Sequence, residues 1–270
     1  MEFRDFGSPA PLLQHVDQSN ADAFLPLSLY FHLPFCETLC WFCGCTTVIT
    51  LNHQSSDTYL DYLEKEVALL APRVHADRRV VQLHYGGGTP TFFQPPQLAR
   101  LAAITRRHFR FSPEAEHCVE IDPRRFSHAQ IAALREGGFT RASLGEQDFD
   151  PQVQLAVHRI QPRAMTEQAI ARLRDEGFTS INLDLIYGLP HQTVDTFRDT
   201  LEQVLEPPGP LRRFQLCARV LDETRPEIFR ARIRAALARG QARDAQAHHR
   251  DAHEPGLRLH RHGPLCPRDR

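Results

Sequence analysis

An α/β fold with a parallel sheet follows from three features of the sequence. Short apolar runs alternate with longer segments of helical periodicity from residue 27 to about 205. Each apolar run ends in a polar or glycine-rich segment, and the 270 residues, 41% of them hydrophobic, suffice for one sizeable core. The runs at 27–33, 80–85, 118–121, 141–145 and 181–186 are the expected strands. Helical spacing marks 57–70, 96–108, 128–136, 166–176 and 194–205, giving about five βα units. Asp57 and Thr193 stand where helix N-caps belong, and Gly137 and Gly177 where helices close. The organisation is therefore an N-terminal extension at 1–26, an α/β core at 27–205 and a different tail at 206–270.

Composition narrows the function classes. A formal net charge of −1 gives no electrostatic case for a nucleic acid or an anionic membrane surface. No apolar run approaches the roughly 20 residues that span a bilayer, and residues 1–25 lack the basic start and apolar core of a signal peptide. A cytoplasmic protein, monomeric and with a small-molecule partner, is expected. Seven cysteines in such a chain point to metal or redox chemistry rather than to disulfides, which the cytosol keeps reduced. Four of them, Cys36, Cys40, Cys43 and Cys45, fall within ten residues; Cys118 sits in an apolar run and reads as a small core residue.

The segments after the strands carry the chemistry. They are the cysteine cluster, Gly86-Gly87-Gly88-Thr89-Pro90, Asp122-Pro123-Arg124, Gln147-Asp148 and Tyr187-Gly188-Leu189-Pro190. In an α/β barrel such loops share one rim, where sites are built. Cys36-x3-Cys40-x2-Cys43 supplies three soft ligands on a loop, a set suited to a [4Fe–4S] cluster with one iron left open. A structural zinc site with Cys45 as fourth ligand is the alternative; thiols one residue apart are poor zinc spacing, and no second CxxC follows. The triple glycine lets a ligand approach the backbone, or simply makes a tight strand-to-helix turn.

The x3–x2 cysteine spacing with Phe42 before the third cysteine resembles the radical S-adenosylmethionine (SAM) superfamily. Tyr30-Phe-His-Leu-Pro-Phe-Cys36, Cys43-Gly-Cys45, His84-Tyr-Gly-Gly-Gly-Thr-Pro-Thr91, Glu120-Ile-Asp-Pro-Arg124, Gly145-Glu-Gln-Asp-Phe149 and Asp184-Leu-Ile-Tyr-Gly-Leu-Pro190 together resemble the oxygen-independent coproporphyrinogen III oxidases, over about residues 3–205. The resemblance implies a (β/α)6-type barrel and a cluster on Cys36, Cys40 and Cys43. It also implies two SAM molecules. The first would meet Tyr30, Gly87 and Glu120; the second would meet Phe42, Gly88, Thr89, Gln147, Arg159 and Asp184. Taken singly, Glu120 and Asp184 also read as helix-capping or ion-paired carboxylates and Arg159 as a surface cation. The implied reaction is anaerobic oxidative decarboxylation of two coproporphyrinogen III propionates to vinyl groups in haem biosynthesis, with an electron donor as partner. Haem chaperones share this barrel. Phe42-Cys43-Gly44-Cys45 follows the oxidase pattern, since the chaperones have a tyrosine before that cysteine and a large residue after it. Glu146 departs from the resembled pattern, which is apolar there, and a carboxylate is costly if buried without a partner.

After residue 205 the resemblance stops. Residues 214–225 and 256–267 can each be encoded so that reading one base later restores a segment of the resembled family. A frameshift near 203–212 is the expectation, which the coding DNA decides. It predicts a disordered or loosely helical tail, a barrel of about five units without its sixth strand or the C-terminal helical domain, and an inactive fragment as a further alternative. The start at Met1 is likewise expected to be short. The histidines His248, His249, His253, His260 and His262 lie in Arg-rich, aperiodic sequence that argues against a metal site.

Overall fold

The computed structural model describes residues 10–205 and 213–218. They fall into two compact units, the first holding residues up to 37 with 46–120 and 126–141, the second 38–45, 121–125 and the chain from 142.

In the first unit, α1 (Ala10–Ser19) precedes β1 (Leu27–Leu33), a helix that the plain extension expected at 1–26 did not include. A two-residue ladder follows, β2 (Phe35–Cys36) against β3 (Val48–Ile49), then α2 (Ser55–Leu70), β4 (Val80–Gly87), α3 (Pro95–His108), β5 (Phe111–Ile121) and α4 (His128–Glu136). β4 lies between β1 and β5, parallel to both. Leu33, Leu60, Val80, Tyr85 and Leu101 are fully buried, so apolar faces of strands and helices close one core. The register sets Tyr30 beside His84 and His84 beside Cys118. That row brings side chains far apart in sequence to one face. Cys118 is buried, as its apolar surroundings predict.

The second unit holds β6 (Arg141–Gln147), α5 (Pro151–Ala156), α6 (Arg163–Asp175), β7 (Ser180–Tyr187), α7 (Val194–Leu205) and β8 (Arg213–Ala218). β6, β7 and β8 are neighbours in that order. β8 corrects the expected loss of a sixth strand: it pairs parallel with β7 from Asn182↔Arg213 to Tyr187↔Ala218. The edge of β7 presents N–H and C=O groups that need partners, and backbone pairing is indifferent to which side chains the partner carries. The rest of the expected tail, with its histidines, lies outside the described residues.

Other boundaries move for local reasons. β5 begins seven residues before the expected strand, because Phe111–His117 is partly exposed and lacks an apolar run. Asp57 is inside α2, whose N-cap is Gln54. Thr193 does cap, its Oγ1 accepting from Thr196 N at 3.1 Å. Gly137 caps α4 with right-handed backbone, and Gly138 is the residue that turns left-handed. α5 escaped detection because its six residues are too few to show a period. Asp150 nucleates it by accepting from Gln152 N and Val153 N. Among the described residues no helix is long and apolar enough to cross a membrane.

Candidate active site

The cysteine loop is anchored at both ends by backbone. Cys36 belongs to β2, and its carbonyl accepts from Thr50 N at 3.0 Å, while Phe35 beside it stacks on Phe92 at 5.2 Å. At the other end, Cys43 N donates to Cys40 O at 2.9 Å, closing a turn, and Trp41 N donates to Val157 O at 3.0 Å. Phe42 fills an apolar cluster with Cys40, Val153, Val157, Ile186 and Leu189, against which Cys43 packs. Cys36, Cys40, Cys43, Cys45 and Cys118 are free thiols; Cys45 is exposed and Cys40 buried.

In the first unit the structure brings together Tyr30, Gly87 and Glu120. Glu120 Oε2 accepts from Gly87 N at 3.2 Å, and Glu120 Oε1 pairs with His84 Nε2 at 3.0 Å. The His84 ring stacks on Tyr30 with centroids 5.6 Å apart. Burial disfavours charge on His84, but its hydrogen bonds to Cys118 and Glu120 outweigh that and push the ring up to about 10. His84 is therefore the cation of the pair at neutral pH. Glu120 is ion-paired, as one reading held, yet it keeps a part-exposed carboxylate at the end of β5.

The glycines of this segment are dictated by space. Gly87 has φ +117, and a Cβ there would lie 2.9 Å from Leu33 N. A Cβ on Gly88 would lie 2.5 Å from Phe35 O, a backbone atom that cannot swing away. Gly88→Ala is expected to lower stability by about 1–3 kcal/mol, the usual range for overpacking. A thermal melt reads it, and an unchanged midpoint would refute the steric account. Thr89 next to it is buried, its Oγ1 hydrogen-bonded to Thr91 Oγ1 at 3.0 Å.

In the second unit Arg159 is a buried cation rather than a surface one. It donates from Nη2 to Gly145 O at 2.6 Å and to Asp122 Oδ1 at 3.4 Å, and from Nη1 to Cys40 Sγ at 3.5 Å. Gln147 is held at φ +72, a left-handed backbone that a non-glycine residue adopts at some cost and that clusters at functional sites. Asp184 accepts from Ser143 Oγ at 2.9 and 2.8 Å. Glu146 is buried, and its Oε2 accepts from Gln161 Nε2 at 2.6 Å and from Thr166 Oγ1, whereas its Oε1 has no hydrogen-bond partner among the described residues.

Asp122 and Arg124, from the segment that follows β5, join this group. Asp122 Oδ1 and Oδ2 clasp the Arg124 side chain, and Arg124 Nη2 also reaches Cys40 Sγ at 3.4 Å. Burial works against charge on Asp122, but Arg159 and Arg124 outweigh it and hold the carboxyl below the usual carboxylate range. The signal was present in Asp122-Pro123-Arg124, while only the fold shows the sulfur it serves. Ser143, a lone serine in a strand, left no signal.

The donor set suits an iron–sulfur cluster. Three thiols on one loop are its usual ligands, and two guanidinium donors at Cys40 Sγ complement the negative charge of a metal-bound thiolate. Among the described residues no three His, Cys, Asp or Glu side chains form a cage for a single ion. A four-iron cluster does not need one, since each thiolate binds a different iron.

Comparison with known proteins agrees. The family described as Radical SAM superfamily matches residues 30–204. An oxygen-independent coproporphyrinogen III oxidase of Helicobacter pylori is 49% identical over 183 residues, 67% of this chain and 40% of that protein. The protein of the same name from Escherichia coli K12 is 46% identical over 181 residues, covering 39% of its length. Among solved structures, coproporphyrinogen III oxidase (HemN) from Escherichia coli, described as a radical SAM enzyme, matches with a TM-score of 0.72 and 42% identity over 84% of this chain and 50% of that one. The chain thus spans about 40% of the length of the curated relatives it matches.

Proposed function

This chain belongs to the radical SAM superfamily, and we propose that it is the front portion of an oxygen-independent coproporphyrinogen III oxidase, acting on propionate side chains of the porphyrinogen in haem biosynthesis. What carries the reading is that the family match at 30–204 spans Cys36, Cys40, Cys43 and every proposed SAM contact, in a chain 42–49% identical to proteins of that name. When bound, the cluster would supply the electron that cleaves SAM and SAM the radical that takes a hydrogen atom from the propionate; the substrate radical then passes one electron to an acceptor as carbon dioxide leaves and a vinyl group remains.

The residues divide the remaining work. Cys36, Cys40 and Cys43 would hold the cluster. Glu120 would accept hydrogen bonds from the ribose hydroxyls of a first SAM, since its carboxylate is pinned by Gly87 N and by cationic His84 with part of its surface still exposed. Tyr30, stacked on His84, would give that ligand an aromatic wall. Gly87 serves the site through its backbone N–H on Glu120, at a position where a Cβ would lie 2.9 Å from His32 Nδ1 and Leu33 N. A second SAM would meet Phe42, Gly88, Thr89, Gln147, Arg159 and Asp184. There Arg159 offers the cation for a carboxylate, and Phe42, packed among Val153, Val157 and Leu189, helps exclude water.

Anaerobic reconstitution with iron and sulfide tests the assignment. We expect a brown protein that cleaves SAM under reduction and converts coproporphyrinogen III with release of carbon dioxide. Tight haem binding without SAM cleavage, or a colourless protein, overturns it.

A further inference from the structure

Arg124 is fixed more firmly than a surface ion pair requires. Its backbone N donates to Asp122 Oδ1 at 3.0 Å, its Nε to the same oxygen at 2.9 Å, and its Nη2 to Oδ2 at 2.7 Å. Both side chains are 13% exposed. Pro123, with its fixed φ, stands between them. Nη2 carries two hydrogens; one is used on Asp122, and the other points to Cys40 Sγ at 3.4 Å. Arg159 adds a second N–H to the same sulfur, from a side chain 8% exposed. Two guanidiniums against one carboxylate leave one net positive charge beside this sulfur.

We infer that Arg124, locked by Asp122, is a positioning residue for the Cys40 ligand whose N–H donation to Sγ raises the readiness of the bound cluster to accept an electron. The inference rests on the radical SAM reading of Cys40 and deepens it. It is independent of the SAM contacts, among which Arg159 stands and Arg124 does not. The physical basis is that a reduced cluster is more negative than an oxidised one. Hydrogen bonds to its sulfurs and nearby positive charge therefore favour the reduced state, and the potential rises with them. Asp122 spends its carboxylate on orienting the guanidinium, so the donor points at sulfur without a search through rotamers.

The test is a redox titration of the reconstituted chain and of Arg124→Met, with dithionite as reductant, read by absorbance and by the EPR signal of the reduced cluster, with iron and sulfide measured alongside. We expect Arg124→Met to carry the cluster at a midpoint potential more negative than the wild type. Arg124→Lys keeps the charge and loses the two-point clasp, and should shift in the same direction by less. A Met variant that titrates at the wild-type potential overturns the inference. Should Arg124→Met hold no iron, Arg124→Lys decides: a lowered potential supports the role and an unchanged one overturns it. A wild-type chain that takes up no cluster overturns the assignment of Cys36, Cys40 and Cys43 as cluster ligands in this chain, a result recognisable before any variant is made.

Discussion

Replacing any one of Cys36, Cys40 or Cys43 with alanine is expected to abolish cluster loading and with it all SAM cleavage, while Cys45→Ala and Cys118→Ala keep the cluster. The loss should far exceed the roughly 10–100-fold cost of removing an outer partner of a metal ligand, because three thiolates leave none to spare. Stability should change much less. Cys36 is held through its backbone by β3 and Thr50, and the cluster around Phe42 retains Val153, Val157, Ile186 and Leu189 when Cys40 is shortened. Iron and sulfide analysis after anaerobic reconstitution, with melting curves of the same samples, measures both. If Cys45→Ala strips the metal as completely as the other three, a four-thiolate zinc site replaces the cluster assignment.

Glu146→Gln should raise stability at pH 8 and leave it unchanged near pH 4.5. Burial is the main cause: it pushes the Glu146 carboxyl up to about 8, against the hydrogen bonds of Thr166 and Gln161 and the attraction of Arg159, and Asp148 adds repulsion. In the unfolded chain the same carboxyl ionises near 4.5. Below that pH both states hold the proton and the carboxylate costs nothing. Between 4.5 and 8 the unfolded state releases its proton first, so the fold loses stability as pH rises, and the cost is complete above about 8. At 1.36 kcal/mol per pKa unit the full cost is on the order of 3–5 kcal/mol. A neutral amide removes it. Melting curves of the two proteins should therefore separate as pH climbs and converge in acid; a gap that stays constant with pH would show that Glu146 is not the cause.

Both predictions rest on residues that were visible in the sequence to different degrees. The cysteines proposed as cluster ligands stand out because such a proposal needs only residue type and spacing, which a linear chain records. The triple glycine was legible for the same reason, although the cause at Gly88, a carbonyl 2.5 Å from where a Cβ would stand, is tertiary. Glu146 was legible only as an oddity, since burial is not written in its neighbours. Gln161 and Thr166, which receive it, lie on a later turn and helix. Arg159 shows the same limit from the other side. Alone it reads as a surface cation, and only the fold encloses it against Gly145 and Asp122.

What the sequence determined by itself was the alternation of strand and helix, the loop positions of the motifs and the cysteine triad, because each depends on periodicity or spacing within a few residues. Tertiary structure decided the rest. It pairs β8 with β7 through backbone groups that carry no sequence signature. It sets His84 beside Glu120 by strand register. It also brings Arg124 to a sulfur 84 residues away in the chain, where burial gives one hydrogen bond a weight that no local pattern could announce.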